Sequence, residues 1–171
     1  MSKRAFVVMG PPSSGTRFMT RLLIAAGCDG DGDHHQRFDD TAPTTDLIVF
    51  RRHMPARRIP AWADGQNVFD ALRSLGYAVT VVIMTRDWHC TIKSQLAAPH
   101  ADDVAGAYFW LHETWREIFK HLPDDMPFHI VSYESLVQRP YRAVTALYKQ
   151  LGLEPATAFE TIRDGNEKYY V

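Results

Sequence analysis

The chain has 171 residues, 46% of them hydrophobic, and a formal net charge of −1 at pH 7. That length suits one domain around a single core, and nothing in the composition points to disorder or to a surface built to coat a polyanion. Only Cys28 and Cys90 occur, which argues against a disulfide framework and is compatible with a reducing compartment.

Met1-Ser2-Lys3-Arg4 leads directly into residues 5–9 (AFVVM), an apolar run too short for a signal-peptide core or a membrane span. A cytoplasmic location is therefore the expectation, with neither membrane nor nucleic acid as a partner. Residues 5–9 read as a buried strand ended by Gly10-Pro11-Pro12. A helix is expected over 16–26, with Phe18, Met19, Leu22, Leu23 and Ala26 on one face and Gly27 as its stop. Residues 46–50 (DLIVF) form a second buried strand, and 68–75 a helix closed by Gly76. The β-branched run 77–85 (YAVTVVIMT) is a third strand. Helices over 88–98 and 101–122 follow, divided by Pro99, then a strand over 127–132 (PFHIVS) and a helix over 141–151 ended by Gly152.

No repeat, low-complexity tract or linker interrupts this pattern, so residues 1–171 are read as one domain. Strands that are apolar without alternation, interleaved with helices, imply an α/β fold of three layers, α/β/α, around a mostly parallel sheet of four to five strands. Ligands of such sheets bind at the carboxyl ends of the strands, which directs attention to the loops after strands one, two and three.

The first loop, Gly10-Pro11-Pro12-Ser13-Ser14-Gly15-Thr16, joins a buried strand to a helix start. Gly15 is free to adopt backbone conformations closed to other residues, and Ser13, Ser14 and Thr16 bring hydroxyls. The exposed amides of a helix N-terminus carry partial positive charge, so the loop can cradle an anion. The same residues would equally serve as a plain helix cap. Gly10 and Gly15 keep the spacing of the triphosphate loop GxxxxGK[ST], but Thr16-Arg17 stands where Lys-Ser/Thr belongs, which argues against an ordinary ATPase or kinase.

Pro12-Ser13-Ser14-Gly15-Thr16-Arg17-Phe18 resembles the 5′-phosphosulfate loop of sulfotransferases, written PKSGTTW or, in glycan-modifying branches, KGGTR. The resemblance implies a P-loop NTPase-like topology and a site for PAPS (3′-phosphoadenosine 5′-phosphosulfate), with PAP as product and no metal required. Ser14, Gly15 and Thr16 match the phosphate-gripping positions, and Phe18 falls where an aromatic residue packs near the adenine. Ser13 departs from the pattern, because the family has a Lys or Arg there. Arg86-Asp87, with Ser94 eight residues after Arg86, resembles the 3′-phosphate motif R-[DN]-P-x(5)-S, with Trp88 in place of the proline. Further on, Val131-Ser132-Tyr133-Glu134-Ser135-Leu136 and Pro140 resemble the YEDL-x(2)-P segment, and Leu151-Gly152-Leu153 the family's LGL. Arg163-Asp164-Gly165-Asn166 is more distantly similar to the RKG segment that supplies further 3′-phosphate contacts.

After the second strand, Arg51-Arg52-His53-Met54-Pro55 is similar to the KTHLP segment of cytosolic sulfotransferases. The resemblance implies His53 as catalytic base and Arg51 as the cationic position, with Arg17 and Arg51 supplying the charge that Ser13 lacks. A histidine titrates near neutrality and can take a proton from an acceptor hydroxyl. Arginines suit a transfer that depends on neutralising charge on a leaving oxygen. The segment Asp29-Gly30-Asp31-Gly32-Asp33 spaces its carboxylates as a calcium loop does, but His34 holds the glycine place and Asp40 the glutamate place. It is read instead as a loop beside the acceptor pocket, where His34 or His35 are rival bases. Tyr108, Phe109, Trp110 and Trp115 are read as core and rim packing.

Three functions compete. One is transfer of a sulfuryl group from PAPS to a hydroxyl or amine of a small-molecule or glycan acceptor. The others are a small-molecule or nucleotide kinase and a non-catalytic PAP-binding relative.

Overall fold

The computed structural model describes residues 2–31, 45–52, 65–98, 100–154 and 162–170. Its elements in chain order are β1 (Arg4–Met9), α1 (Thr16–Ala25), β2 (Leu47–Arg51), α2 (Gly65–Ser74), β3 (Ala78–Thr85), α3 (Trp88–Ala97), α4 (Val104–His121), β4 (Phe128–Ser132), α5 (Tyr133–Gln138) and α6 (Pro140–Gln150). A single 3-10 turn, Glu167–Tyr169, lies near the C-terminus. All four strands are parallel, in the order β2-β1-β3-β4.

The central strands explain why the sequence reads as continuously apolar. In β1, Phe6 and Val8 enter one core while Ala5, Val7 and Met9 enter the other. In β3, Val82 and Met84 face the first core, and Val79, Val81 and Ile83 the second. Side chains alternate with period two, yet both faces are covered, so apolar residues occupy both sets of positions. The first core takes Met19, Leu22 and Leu23 of α1, Tyr133 and Leu136 of α5, and Val144, Leu147 and Tyr148 of α6. The second takes Val68, Phe69 and Leu72 of α2 and Ile118 of α4. The three-layer α/β/α arrangement expected from the sequence is therefore present, with four strands among the described residues. The chain steps from β1 to β2 on one side, then crosses to β3 on the other. Strand order thus reverses at β1, and the crevice opens beyond the carboxyl ends of β1 and β3.

Three details depart from the sequence reading. Arg51 belongs to β2 instead of the loop after it, and it is 3% exposed. The stretch after the fourth strand, given no helix in the sequence reading, is the helix α5, started by Ser132, whose Oγ accepts from Ser135 N at 3.3 Å. β4 is an edge strand, so Phe128 and Ile130 remain exposed even though the segment is as apolar as a buried one. Pro99 lies outside the described residues. Among the described residues no helix is long and apolar enough to cross a membrane.

The first core also holds two groups that resist ionisation. Burial raises the Cys28 thiol from 9.0 to about 12, against the opposing charge of Arg4. Burial, with the nearby Cys28, raises the Tyr148 phenol from 10.0 to about 12, and its hydroxyl donates to Leu22 O at 2.6 Å. The folded state keeps both protons at pH values where the unfolded chain has lost them, so stability falls as pH rises through 9 and 10 towards 12. Urea midpoints should therefore drop markedly between pH 8 and pH 11, and less so in Cys28→Ala. Equal midpoints at the two pH values would contradict this account of the core.

Candidate functional site

The loop between β1 and α1 is built by close approach. A Cβ on Gly10 would lie 2.6 Å from the backbone oxygen of Met84 on β3, and equally close to Ser14 Oγ. Only a glycine lets the loop leave β1 against its neighbouring strand. Gly15, at φ 94°, and Ser13, at φ 69°, both adopt left-handed backbone. The Ser13 conformation is strained for a residue with a side chain, which is a common mark of a functional loop. Ser14 N donates to Pro11 O at 3.0 Å, closing the turn. The N-terminus of α1 has no side-chain cap and no acidic residue in its first turn. Its amides and its dipole are thus left for an external anion. Ser14 is 1% exposed, and its Oγ has no hydrogen-bond partner among the described residues. A buried hydroxyl without a partner is costly and calls for an occupant.

Beyond β3, the half-buried Arg86 reaches back to this loop. Its Nη1 donates to Ser13 O at 2.8 Å. Its Nη2 donates to Gly165 O at 3.0 Å and its Nε to Asn166 Oδ1 at 2.6 Å. The guanidinium also lies 4.9 Å from the Tyr133 ring centroid and 5.6 Å from that of Tyr169. Three of the five guanidinium N–H groups are thereby used to fix its plane, leaving two for a ligand. Asp87 starts α3 by accepting from Cys90 N at 2.9 Å. That bond, ahead of the opposing effect of burial, holds the Asp87 carboxyl below its ordinary value. Two turns into α3, Gln95 is fully buried and donates through Nε2 to Pro12 O at 3.1 Å, tying the helix to the loop.

The C-terminal segment completes the wall. Asn166 is fully buried and donates through Nδ2 to Glu134 Oε1 at 2.9 Å. The same carboxylate oxygen accepts from Asp87 N at 2.8 Å, while Oε2 accepts from Ser132 Oγ at 3.1 Å. Glu134 is therefore held as a structural acceptor. Gly165 N donates to Tyr133 Oη at 2.8 Å. Phe18 of α1 meets the Tyr133 ring edge-on, with centroids 5.8 Å apart.

The structure thus brings together Ser13, Ser14, Gly15, Thr16, Phe18 and Arg86 at the carboxyl ends of β1 and β3, with Ser94 on the adjoining helix. Arg17 lies exposed on the first turn of α1. Arg51 is aligned with Val8 at the neighbouring strand end, and Arg52 N donates to Val8 O at 3.0 Å. His53, Arg57 and Arg58 lie outside the described residues, as do His34 and His35. Tyr133, Asn166 and Tyr169 are the site residues whose local sequence gave least warning. The segment 163–166 offered the one signal, its distant likeness to RKG. Among the described residues no group of three His, Cys, Asp or Glu side chains could hold a metal ion.

No protein-family model matches the chain, and no curated protein matches it in sequence. Solved structures do resemble it. The sulfotransferase domain of the Synechococcus PCC 7002 olefin synthase is 15% identical and superposes with a TM-score of 0.59, covering 96% of this chain and 81% of that one. The sulfotransferase domain from the curacin biosynthetic pathway is 13% identical with a TM-score of 0.56, covering 100% of this chain and 83% of that one. Mouse sulfotransferase SULT7A1, solved in complex with PAP, is 11% identical with a TM-score of 0.50, covering 91% of this chain and 60% of that one. At such identities the likeness is one of fold: this chain has the fold of sulfotransferase domains.

Proposed function

We propose that this domain binds PAPS and transfers its sulfuryl group to a hydroxyl or amine of a small-molecule or glycan acceptor. One observation carries the reading: Arg86 Nη1 is hydrogen-bonded to Ser13 O, so two anion-binding motifs 73 residues apart in sequence meet at one crevice. A nucleotide with phosphates at both its 5′ and 3′ positions fits such a pair. The uncapped α1 N-terminus, with Ser14 and Thr16, would take the 5′-phosphosulfate. Arg86 and Ser94 would take the 3′-phosphate, and Phe18 would pack near the adenine. Fit at the first position is supported by the partnerless Ser14 hydroxyl, and at the second by the two guanidinium donors left over.

Ser13 brings no charge to the bridging oxygen, so the reading assigns that work to Arg17 and the buried Arg51. A guanidinium held at a strand end away from water acts on developing charge far more strongly than one in solvent. His53, one residue beyond the described end of the segment after β2, is the proposed base.

The neutral Ser13 also favours a second reading, a relative that binds PAP without turnover. A thermal-shift screen followed by an activity assay separates the possibilities. PAP should raise the melting temperature, and ATP with magnesium should do so much less. Release of PAP from PAPS in the presence of a hydroxyl or amine acceptor then marks the enzyme, and binding without release marks the inert relative. Stabilisation by ATP–magnesium but not by PAP would favour a kinase.

A further inference from the structure

The loop after β1 has few N–H groups to offer an anion. Pro11 and Pro12 carry none, and that of Ser14 is taken by Pro11 O at 3.0 Å. Within residues 11–14 this leaves the amide of Ser13, which has no acceptor among the described residues.

The direction of that amide is set from behind. The Pro12–Ser13 peptide is trans, so its C=O and its N–H point opposite ways. Gln95 Nε2 donates to Pro12 O at 3.1 Å, which turns this oxygen towards α3 and the Ser13 N–H away from it. A carbonyl oxygen only accepts, so the amide nitrogen of Gln95 is the atom that faces it. Ser13 O is held in turn by Arg86 Nη1 at 2.8 Å. Pro11 O, Pro12 O and Ser13 O are thus all engaged by donors of the protein, and their negative ends are withdrawn from an incoming anion. Ser13 sits at φ 69°, a strained conformation that needs such support.

Gln95 holds the loop at a cost in stability. It is fully buried, and its Oε1 has no hydrogen-bond partner among the described residues. An apolar side chain of the same size would avoid the desolvation of that oxygen. A buried amide with one bond, made to the loop, points to a role beyond packing.

We infer that Gln95 is a positioning residue for the 5′-phosphosulfate: by holding Pro12 O it aims the Ser13 N–H at the anion. The backbone of Ser13 then contributes where its side chain brings no charge. The inference rests on the reading of the previous subsection and gives recognition of the 5′ group a support on α3, outside the loop itself.

Calorimetric titration of wild type, Gln95→Met and Gln95→Asn with PAP and with adenosine 3′-phosphate tests it. The two nucleotides differ only in the 5′-phosphate. Methionine keeps the length of the side chain without its polar atoms, and asparagine is one methylene shorter and falls short of Pro12 O. PAP should bind both variants about tenfold more weakly, as expected for a misaligned hydrogen bond to a charged group, while adenosine 3′-phosphate binds as it does to wild type. The melting temperature of Gln95→Met should stay close to wild type, because removal of the partnerless oxygen offsets the lost bond. Equal weakening of both nucleotides, or loss of the fold in both variants, would overturn the inference, since the amide would then serve only the structure. In a wild type that prefers PAP, unchanged PAP binding by both variants would overturn it and leave the 5′ site standing. Should wild type bind the two nucleotides equally, the 5′ site would fall with it.

Discussion

Arg86→Ala should lose PAP binding by well over tenfold and also lower the melting temperature, because on the proposed reading this side chain serves the ligand and the fold together. In the structure it donates to Ser13 O, Gly165 O and Asn166 Oδ1 and lies against the rings of Tyr133 and Tyr169. Truncation leaves two backbone carbonyls and a fully buried asparagine short of a donor. Losing hydrogen bonds from a charged group in a half-buried network should cost about 2–4 kcal/mol of stability. Arg86→Lys separates the two roles, since a lysine keeps the charge but cannot fork between carbonyls and a phosphate. Its stability should fall less than that of Arg86→Ala, while its preference for PAP over AMP should still shrink. Normal melting temperature and normal PAP affinity in Arg86→Ala would remove the arginine from both roles.

Turnover should depend most steeply on His53. Transfer forms a bond from the acceptor oxygen or nitrogen to sulfur and breaks the bond from sulfur to the bridging oxygen, which leaves on PAP. The acceptor proton goes to the base. Loss of a general base costs about 10²–10⁴ in rate, so His53→Ala should bind PAP normally and lose most of its kcat. The acidic limb of the wild-type pH–rate profile should disappear with it. Near-normal turnover in His53→Ala, with loss in His34→Ala or His35→Ala, would move the base to residues 34–35.

Much of this molecule is written in short-range pattern. The apolar runs of β1 and β3 identify a doubly covered sheet, and the spacings Gly10 to Gly15 and Arg86 to Ser94 mark the two loops proposed to bind anions. Each lies within one strand–loop–helix unit, where sequence distance and spatial distance agree. Legibility stops where they diverge. Arg86 meets Gly165 across 79 residues, and the segment 162–170 has no periodicity to announce that it packs on Arg86, α3 and α5. Arg51 reads as a loop residue because the apolar run stops at Phe50, and only the register with Val8 reveals it as the end of β2. The apolarity of β4 signals a strand without revealing that it borders the sheet, since edge position is a property of topology. The helix α5 is only six residues long, too short for a helical period to stand out.

The central claim is that this crevice selects a nucleotide by its 3′-phosphate, and the most direct measurement is a calorimetric comparison of PAP with AMP on the wild-type protein. On the proposed reading, the two remaining guanidinium donors of Arg86 together with the Ser94 hydroxyl should favour PAP by at least about tenfold, the least expected of one charge-assisted contact. Equal affinities for PAP and AMP, or no binding of either, would contradict it.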